Sequence, residues 1–181
     1  MSEDEFFQFC QDNRELKFER NANGQIIVIP PSTFLIGDKN QEILFQLSLW
    51  NKTMKFGRAV GSGTGFTLPN GAVRNPDAAW VSNARLKAVD KSELDKFPHL
   101  VPDFIVELKS KNDRLDILKN KMKEWMKNGC RLGWLIDVDN ETVYIYEGST
   151  ERKHTDFSKH LSGEPVLKGF KLKLIELKKI G

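Results

Sequence analysis

Short runs in which apolar and polar residues alternate occur along much of the chain, and this pattern predicts β-strands. LKFER and QIIVIPPS are two such runs, and residues 21–24 between them predict a hairpin turn. GTGFTL and AVRNPDAAWVS are two more, and they flank a second turn signal at residues 69–71. The pattern therefore predicts two hairpins, with Asp77 on the second strand of the second hairpin.

Apolar residues at helical spacing predict several helices. FFQFCQDN favours a short amphipathic helix, and NARLKAVDKSELDKF favours one or two short helices. In NQEILFQLSLWNKTMKFG, apolar residues such as Ile43 and Leu47 recur at the spacing of one helix face. We expect a long helix that begins at Asp38 and stops near Gly57, with Glu42 in its first turns.

The middle of the chain predicts a β-α-β unit. VPDFIVELKSKND contains a strand over FIVELKS, and the following helix, DRLDILKNKMKEWMKNG, carries one apolar stripe and ends near Gly129. RLGWLID predicts the second strand, and TVYIYEG turns back beside it as a hairpin. Strands joined by a helical crossover run parallel. The tail EPVLKGFKLKLIEL adds one or two short strands, and no repeat or linker divides the chain.

Charged residues interrupt two of these predicted strands. Glu107 and Lys109 share one face of the FIVELKS strand, although parallel strands are usually covered on both faces. Asp77 interrupts the otherwise apolar run NPDAAWV. Two structural explanations need no function for Glu107 and Lys109. Either the strand lies at a sheet edge with one solvent-exposed face, or the two side chains form a salt bridge. The alternative is chemical, because two converging carboxylates can hold Mg²⁺ for phosphodiester hydrolysis with a lysine beside them.

These residues resemble a known nuclease signature. Pro76-Asp77 followed by Glu107-Leu108-Lys109 is similar to the PD-(D/E)XK pattern. VRNPDAAWVS, VPDFIVELKS, RLGWLID and VLKGFKLKL, together with a lysine-containing helix that ends in KNG, resemble the Uma family of restriction-endonuclease-like proteins. The resemblance implies an α/β, restriction-endonuclease-like fold in which a mixed central β-sheet is flanked by helices. It also implies an endonuclease that cuts nucleic acid, with DNA as the favoured substrate.

The same resemblance, which spans residues 30–174, implies roles for individual residues. Asp77 and Glu107 would be metal ligands, and the backbone carbonyl of Leu108 would be a further ligand. Lys109 would be the catalytic lysine. The implied cofactor is Mg²⁺, with Mn²⁺ as a substitute ion.

Three further residues are weighed beside this set. Many nuclease families of this fold add an acid from the first core helix, and Glu42 occupies the matching place; a solvated acid favoured by the helix dipole is the alternative. Lys121 lies at the margin of the apolar stripe, where its side chain could point toward the site or extend to solvent. Asp103 also follows a proline, but its Cα would lie about 13 Å from that of Glu107 on one strand, so Asp77 is preferred.

Composition narrows the class of protein. The chain has 181 residues, of which 39% are hydrophobic and 29% charged, which is typical of one folded domain over residues 1–181. No apolar run reaches ~18 residues and the N-terminus is acidic, so we expect a cytoplasmic protein with no membrane partner. Cys10 and Cys130 lack metal-site spacing and are expected as reduced thiols. A net charge of +3 permits nucleic-acid binding without requiring it.

Two functional hypotheses share the predicted fold. The first is a Mg²⁺-dependent endonuclease, and the second is a catalytically inactive module that binds nucleic acid or forms dimers. The presence of Asp77, Glu107 and Lys109 in one chain favours the nuclease, because an inactive module has no need to bury that set. Cutting both strands of a duplex with one site per chain usually requires two copies, so we expect a homodimer.

Overall fold

The computed structural model describes residues 1–179. Its α-helices are α1 (Glu3–Asp12), α2 (Phe34–Met54), α3 (Asn83–Lys87) and α4 (Leu115–Lys127). Its strands are β1 (Lys17–Arg20), β2 (Ile26–Ile29), β3 (Gly57–Gly61), β4 (Phe66–Thr67), β5 (Val73–Arg74), β6 (Ala78–Ser82), β7 (Phe104–Leu108), β8 (Leu132–Asp137), β9 (Thr142–Glu147), β10 (Thr150–His154), β11 (His160–Ser162) and β12 (Lys171–Lys173). Two 3₁₀ helices lie at Lys91–Asp95 and Leu174–Lys178.

Six strands form the central sheet, in the order β10-β9-β8-β7-β6-β3. β7 and β8 run parallel because α4 crosses over between them, and the other neighbouring pairs in this sheet are antiparallel. The predicted β-α-β unit and the hairpin after it are therefore confirmed. β7 lies inside the sheet and is buried along its whole length. A charge on this strand is consequently placed deep in the fold.

Both faces of the central sheet are covered by helices. Phe104 of β7 packs in one core cluster with Ile43 of α2, and Ile105 packs in another with Met122 of α4. Side chains alternate along a strand, so Glu107 lies on the same face as Ile105, beneath α4. This arrangement is the mixed, helix-flanked sheet that the sequence predicted.

A second, antiparallel sheet, called the N-terminal sheet below, has the order β2-β1-β5-β4. It contains the two predicted hairpins, β1-β2 and β4-β5. Arg20 of β1 pairs with Val73 of β5 and thereby joins the hairpins. α1 covers this sheet through Phe6, which packs with Phe18 and Val73. The N-terminal sheet therefore has a small core of its own beside the central sheet.

The predicted strand that included Asp77 is divided in the structure. β5 ends at Arg74 in the N-terminal sheet, and β6 begins at Ala78 in the central sheet. Asp77 lies in the connection, directly before β6. Pro76 accounts for the break, because proline has no N–H to donate to a strand ladder. The prediction of one continuous strand was wrong at this point.

α2 begins earlier than the sequence predicted. Thr33 caps its N-terminus, with its side chain accepting a hydrogen bond from Ile36 N at 3.4 Å. Glu42 therefore lies two turns inside α2 rather than in its first turns. No helix found in residues 1–179 has the length and apolar character required to cross a bilayer.

Two smaller predictions concern the tail and the cysteines. β12 is the strand predicted in the tail, and it pairs antiparallel with β11, which was not predicted. Cys10 and Cys130 are both free thiols, and Cys130 is buried.

Candidate active site

Asp77 and Glu107 lie beside each other where β7 ends. β6 and β7 are neighbouring strands, with Ala78 opposite Val106. The Leu108 backbone N–H donates a hydrogen bond to Asp77 Oδ2 at 2.7 Å, which fixes Asp77 against the end of β7. The two predicted carboxylates therefore meet at the edge where open α/β sheets place their ligands.

Glu107 is a deeply buried acid, with 4% of its surface exposed. Its Oε1 accepts a hydrogen bond from Trp125 Nε1 at 3.2 Å and lies 2.9 Å from Lys121 Nζ. Burial raises the pKa of Glu107 to about 7; the charge of Lys121 opposes this rise, and the charges of Asp77 and Glu19 add to it. Among residues 1–179 no donor bonds its Oε2, so one oxygen is left for a ligand.

Lys121 brings a positive charge to the site from α4. Its Nζ lies 2.8 Å from Glu19 Oε1 and 2.9 Å from Glu107 Oε1, and it donates to Asn75 O at 3.4 Å. Burial lowers the pKa of Lys121, but the charges of Glu107 and Glu19 outweigh burial and raise the pKa above its usual value. Lys121 therefore stays protonated, and its side chain points into the site.

Glu19 is a member of this cluster that the sequence did not mark as functional. It lies on β1 in the N-terminal sheet and is 3% exposed. Its Oε1 accepts a hydrogen bond from Asn75 N at 3.0 Å, and its Oε2 lies 3.1 Å from Arg74 Nη1. Burial raises the pKa of Glu19, but Lys121 and the other partners outweigh burial and hold the pKa below its usual value. KFER shows only one acid in a short strand, so no local signal distinguishes Glu19.

The first long helix, α2, supplies an amide to the site. Asn40 Nδ2 donates a hydrogen bond to Asp77 Oδ1 at 3.1 Å. Burial raises the pKa of Asp77, while the Leu108 N–H, Lys121 and Asn40 act in the opposite direction. Asp77 is thus held by donors from both β7 and α2, although the sequence had suggested Glu42 as the contribution of this helix.

Among residues 1–179, Lys109 forms no ion pair with Glu107. It follows the last residue of β7, and its Nζ donates to Ser110 O at 3.2 Å and lies 3.9 Å from Asp137 Oδ2. β7 and β8 are parallel with Leu108 opposite Ile136, so the residues that follow, Lys109 and Asp137, meet at the same edge. The alternative of a salt bridge between Glu107 and Lys109 is therefore not found among residues 1–179.

Glu42 also lies apart from the carboxylate pair. Its Oε1 accepts a hydrogen bond from Gln46 Nε2 at 2.8 Å. It lines a separate cavity of about 630 Å³ together with Trp50 and Phe170. Of the predicted site residues, four line one cavity, namely Asp77, Glu107, Leu108 and Lys121, whereas Glu42 lines another and Lys109 contacts Asp137.

Asp103, the acid of the second Pro-Asp pair, is placed at the other end of β7. Its Oδ2 accepts a hydrogen bond from Ser82 N at 2.8 Å, and its Oδ1 lies 3.2 Å from Arg85 Nε. These contacts fix the entrance to β7. The preference for Asp77 over Asp103 as the partner of Glu107 agrees with this placement.

The carboxylate pair opens into a cavity of about 420 Å³. Its walls include Lys17 and Glu19 of β1, residues 30–33 before α2, and part of the loop before α4. Asp77, Glu107, Leu108 and Lys121 also line it. The cavity therefore gives a ligand access to all four.

The oxygen donors of this cavity are those that a hard divalent cation prefers. They include the carboxylates of Asp77, Glu107 and Asp113, and Leu108 also lines the cavity. In the part of the chain that the structure describes, no group of three or more His, Cys, Asp or Glu residues is arranged to hold a metal ion. Any ion held by the pair would complete its coordination with backbone, water or substrate oxygens.

The fold and this pair of carboxylates define an α/β protein of the restriction-endonuclease-like class. The chain belongs to the Uma2 family, described as "Putative restriction endonuclease", whose family model matches residues 3–175. The resemblance drawn from the sequence motifs is therefore confirmed.

One solved structure supports the fold assignment. It is a "putative nuclease belonging to DUF820" from Anabaena variabilis, and it is similar to this chain with a TM-score of 0.75 and 18% sequence identity. The alignment covers 90% of this chain and 90% of that chain. The likeness confirms the predicted restriction-endonuclease-like fold. A search among curated proteins found no match.

Proposed function

We propose that the protein is a metal-dependent endonuclease that hydrolyses phosphodiester bonds, with DNA as its substrate. Membership of the Uma2 family supports the reaction class. The observation that carries the proposal is the placement of Asp77 and Glu107 side by side at the end of a buried central strand, open to one cavity. Paired carboxylates at such an edge are suited to hold a divalent cation against a phosphate.

The charge balance of the site fits a divalent cation. Carboxylates outnumber cations around the pair: the cluster contains Glu19, Asp77, Glu107 and Asp113, with Arg74 and Lys121. Negative charge is therefore in excess inside the cluster. Asp77, Glu107 and the Leu108 carbonyl would hold Mg²⁺, or Mn²⁺ in its place. When bound, such an ion polarises the phosphodiester and lowers the pKa of the attacking water.

Two lysines are candidates for the lysine of the reaction. Lys109 occupies the motif position, whereas Lys121 has its ammonium group 2.9 Å from Glu107 and lines the cavity. Lys121 is thus the better placed of the two to offer an N–H to a phosphate oxygen and to offset charge in the transition state. Glu42 has no such support from its position, because it lines a different cavity.

A second candidate function is an inactive module of the same fold that binds nucleic acid or forms dimers. It is favoured by one observation, namely that both lysines already have carboxylate neighbours, Asp137 for Lys109 and Glu107 for Lys121.

For the nuclease we also propose a homodimer, since one site per chain cuts one strand at a time. Size-exclusion chromatography with light scattering measures the mass of the protein in solution. A mass equal to that of one chain would contradict the homodimer.

The nuclease proposal is tested by cleavage of supercoiled plasmid and of single-stranded oligonucleotides with Mg²⁺, Mn²⁺ or EDTA. We expect metal-dependent nicking that Glu107→Ala reduces at least ~100-fold, because that variant loses a carboxylate of the pair. Glu147→Ala is the matched control, since Glu147 is also a strand glutamate but pairs with Arg152 at the molecular surface. Absence of cleavage on every substrate, or equal cleavage by Glu107→Ala, would reject the nuclease and favour the inactive module.

A further inference from the structure

Glu19 reaches the candidate active site from outside the central sheet. β1 belongs to the N-terminal sheet, yet the carboxylate of Glu19 lies 2.8 Å from Lys121 Nζ on α4. Both of its oxygens are engaged, Oε1 by Lys121 and Asn75 N and Oε2 by Arg74. An acid that is buried and held by three partners has one fixed orientation.

Lys121 is held between two acids, one of which is Glu19. Its Nζ has two close acidic partners, Glu19 Oε1 at 2.8 Å and Glu107 Oε1 at 2.9 Å. Its contact with Asn75 O is longer, at 3.4 Å. Without Glu19 the ammonium group would have Glu107 as its one close acidic partner among residues 1–179. It would then compete more strongly with any other cation for Glu107.

We propose that Glu19 is a positioning residue of this site, which holds Lys121 between two carboxylates and thereby keeps Glu107 available to a divalent cation. The proposal rests on the nuclease function proposed above. Glu19 acts through Lys121, so the N-terminal sheet contributes to the reaction without contacting the phosphodiester. The second oxygen of Glu107, which no protein donor from residues 1–179 bonds, is the atom whose orientation this contact secures.

A purely structural role for Glu19 predicts different behaviour, and the chain offers a matched control. Arg74 lies between two acids, with Nη1 3.1 Å from Glu19 Oε2 and Nε 2.6 Å from Glu124 Oε2. Among the described contacts Glu124 binds Arg74 and Asn70 but neither Lys121 nor Glu107. Glu124→Gln therefore weakens the same ion-pair network and leaves the Lys121 contact intact.

The experiment compares Glu19→Gln, Glu124→Gln, Lys121→Met and the double variant Glu19→Gln/Lys121→Met. Single-turnover DNA cleavage and Mn²⁺ affinity by calorimetry are the two measurements, and circular dichroism identifies variants that remain folded. We expect Glu19→Gln to lower the cleavage rate ~30-fold and to weaken Mn²⁺ binding ~10-fold, with changes below ~3-fold for Glu124→Gln. In the Lys121→Met background, Glu19→Gln should change the cleavage rate and the Mn²⁺ affinity less than ~3-fold. The reason is that Lys121, through which Glu19 acts, is already absent.

Two results would overturn the positioning role. One is an equal decrease of cleavage rate and Mn²⁺ affinity in Glu19→Gln and Glu124→Gln. The other is that Glu19→Gln lowers both quantities as much in the Lys121→Met background as in the unaltered protein. If the unaltered protein cuts no DNA, the nuclease proposal fails, and the Mn²⁺ titrations still decide whether Glu19 controls the site. If it binds no Mn²⁺ either, both proposals are rejected.

Discussion

Glu107 changes its charge near neutral pH, because burial raises its pKa from 4.5 to about 7. An unfolded chain releases this proton near pH 4.5, while the folded protein retains it until about pH 7. The stability that the neutral carboxyl of Glu107 contributes is therefore lost as pH rises through that window, and none of this contribution remains above it. A buried acid of this kind therefore destabilises the metal-free protein at neutral pH.

We predict that Glu107→Gln relieves this loss, because glutamine cannot ionise. In EDTA, the Tm of the variant minus that of the unaltered protein should increase between pH 4.5 and pH 7. In a chain of this size each 1 kcal/mol corresponds to roughly 2–4 °C, so a difference of several degrees is expected. Acids outside this cluster are common to both proteins and cancel in the comparison. A difference in Tm that stays constant over this range would contradict the raised pKa.

The two lysines provide a second prediction at the residue scale. Lys121→Met should lower DNA cleavage by about 100-fold, because it removes the ammonium group beside Glu107. It should also destabilise the fold by about 3 kcal/mol, since Glu19 and Glu107 would then face each other without a cation. We expect the cleavage loss for Lys109→Met to be at least about tenfold smaller. The reverse order of losses would assign the reaction to the motif lysine.

Individual residues also show what a single sequence can predict. Asp77 and Glu107 were predicted because each interrupts an apolar strand, and that signal is local. Glu19 has no such signal, because KFER would look the same in any amphipathic hairpin. The orientation of Lys109 toward Asp137 depends on the register of two parallel strands, which the chain sets through long-range packing. Contacts between distant segments are thus the part of the site that was missed.

At the scale of elements, turn and periodicity signals predicted most of the fold. The two hairpins and the β-α-β unit follow from turn residues and from the change of apolar spacing between strands and α4. The division of AVRNPDAAWVS between two sheets was missed, because alternation continues through Pro76. This break releases Asp77 from the strand ladder at the place where its carboxylate accepts a hydrogen bond from the Leu108 N–H.

β3 provides a prediction for a single element. A Cβ at Gly57 would lie 2.0 Å from Val81 O and 2.8 Å from the Trp80 ring, and the first of these is backbone of β6. Because the strand ladder cannot shift freely, we expect Gly57→Ala to cost about 3 kcal/mol in urea unfolding. Gly63→Ala is the control, with nothing within 4 Å of its Cβ. Equal unfolding midpoints for the two variants would show that β3 tolerates a displacement from β6.

At the scale of the whole molecule, the candidate site joins parts that are distant in the chain. Glu107 comes from the central sheet, Asp77 from the connection between the two sheets and Glu19 from the N-terminal sheet. Lys121 and Asn40 come from the two long helices. The contacts of Glu19 and Arg74 with α4 connect the N-terminal sheet to this centre. A cation bound between Asp77 and Glu107 would bind the folded protein only, because these residues meet only when the chain is folded. Its binding would therefore raise the free energy of global unfolding.

We therefore predict that Mn²⁺ raises the Tm of the unaltered protein at pH 8, where Glu107 is ionised. At an ion concentration 100 times the Kd the gain is about 2.7 kcal/mol, which corresponds to roughly 5–10 °C for a chain of this length. Asp77→Asn should abolish most of this gain, because it removes one of the two carboxylates, whereas Asp103→Asn should retain it because Asp103 lies at the opposite end of β7. Thermal scans at matched Mn²⁺ concentrations compare the three proteins. If Asp77→Asn were stabilised as much as the unaltered protein, the ion would bind elsewhere and the carboxylate pair would lose its assigned role.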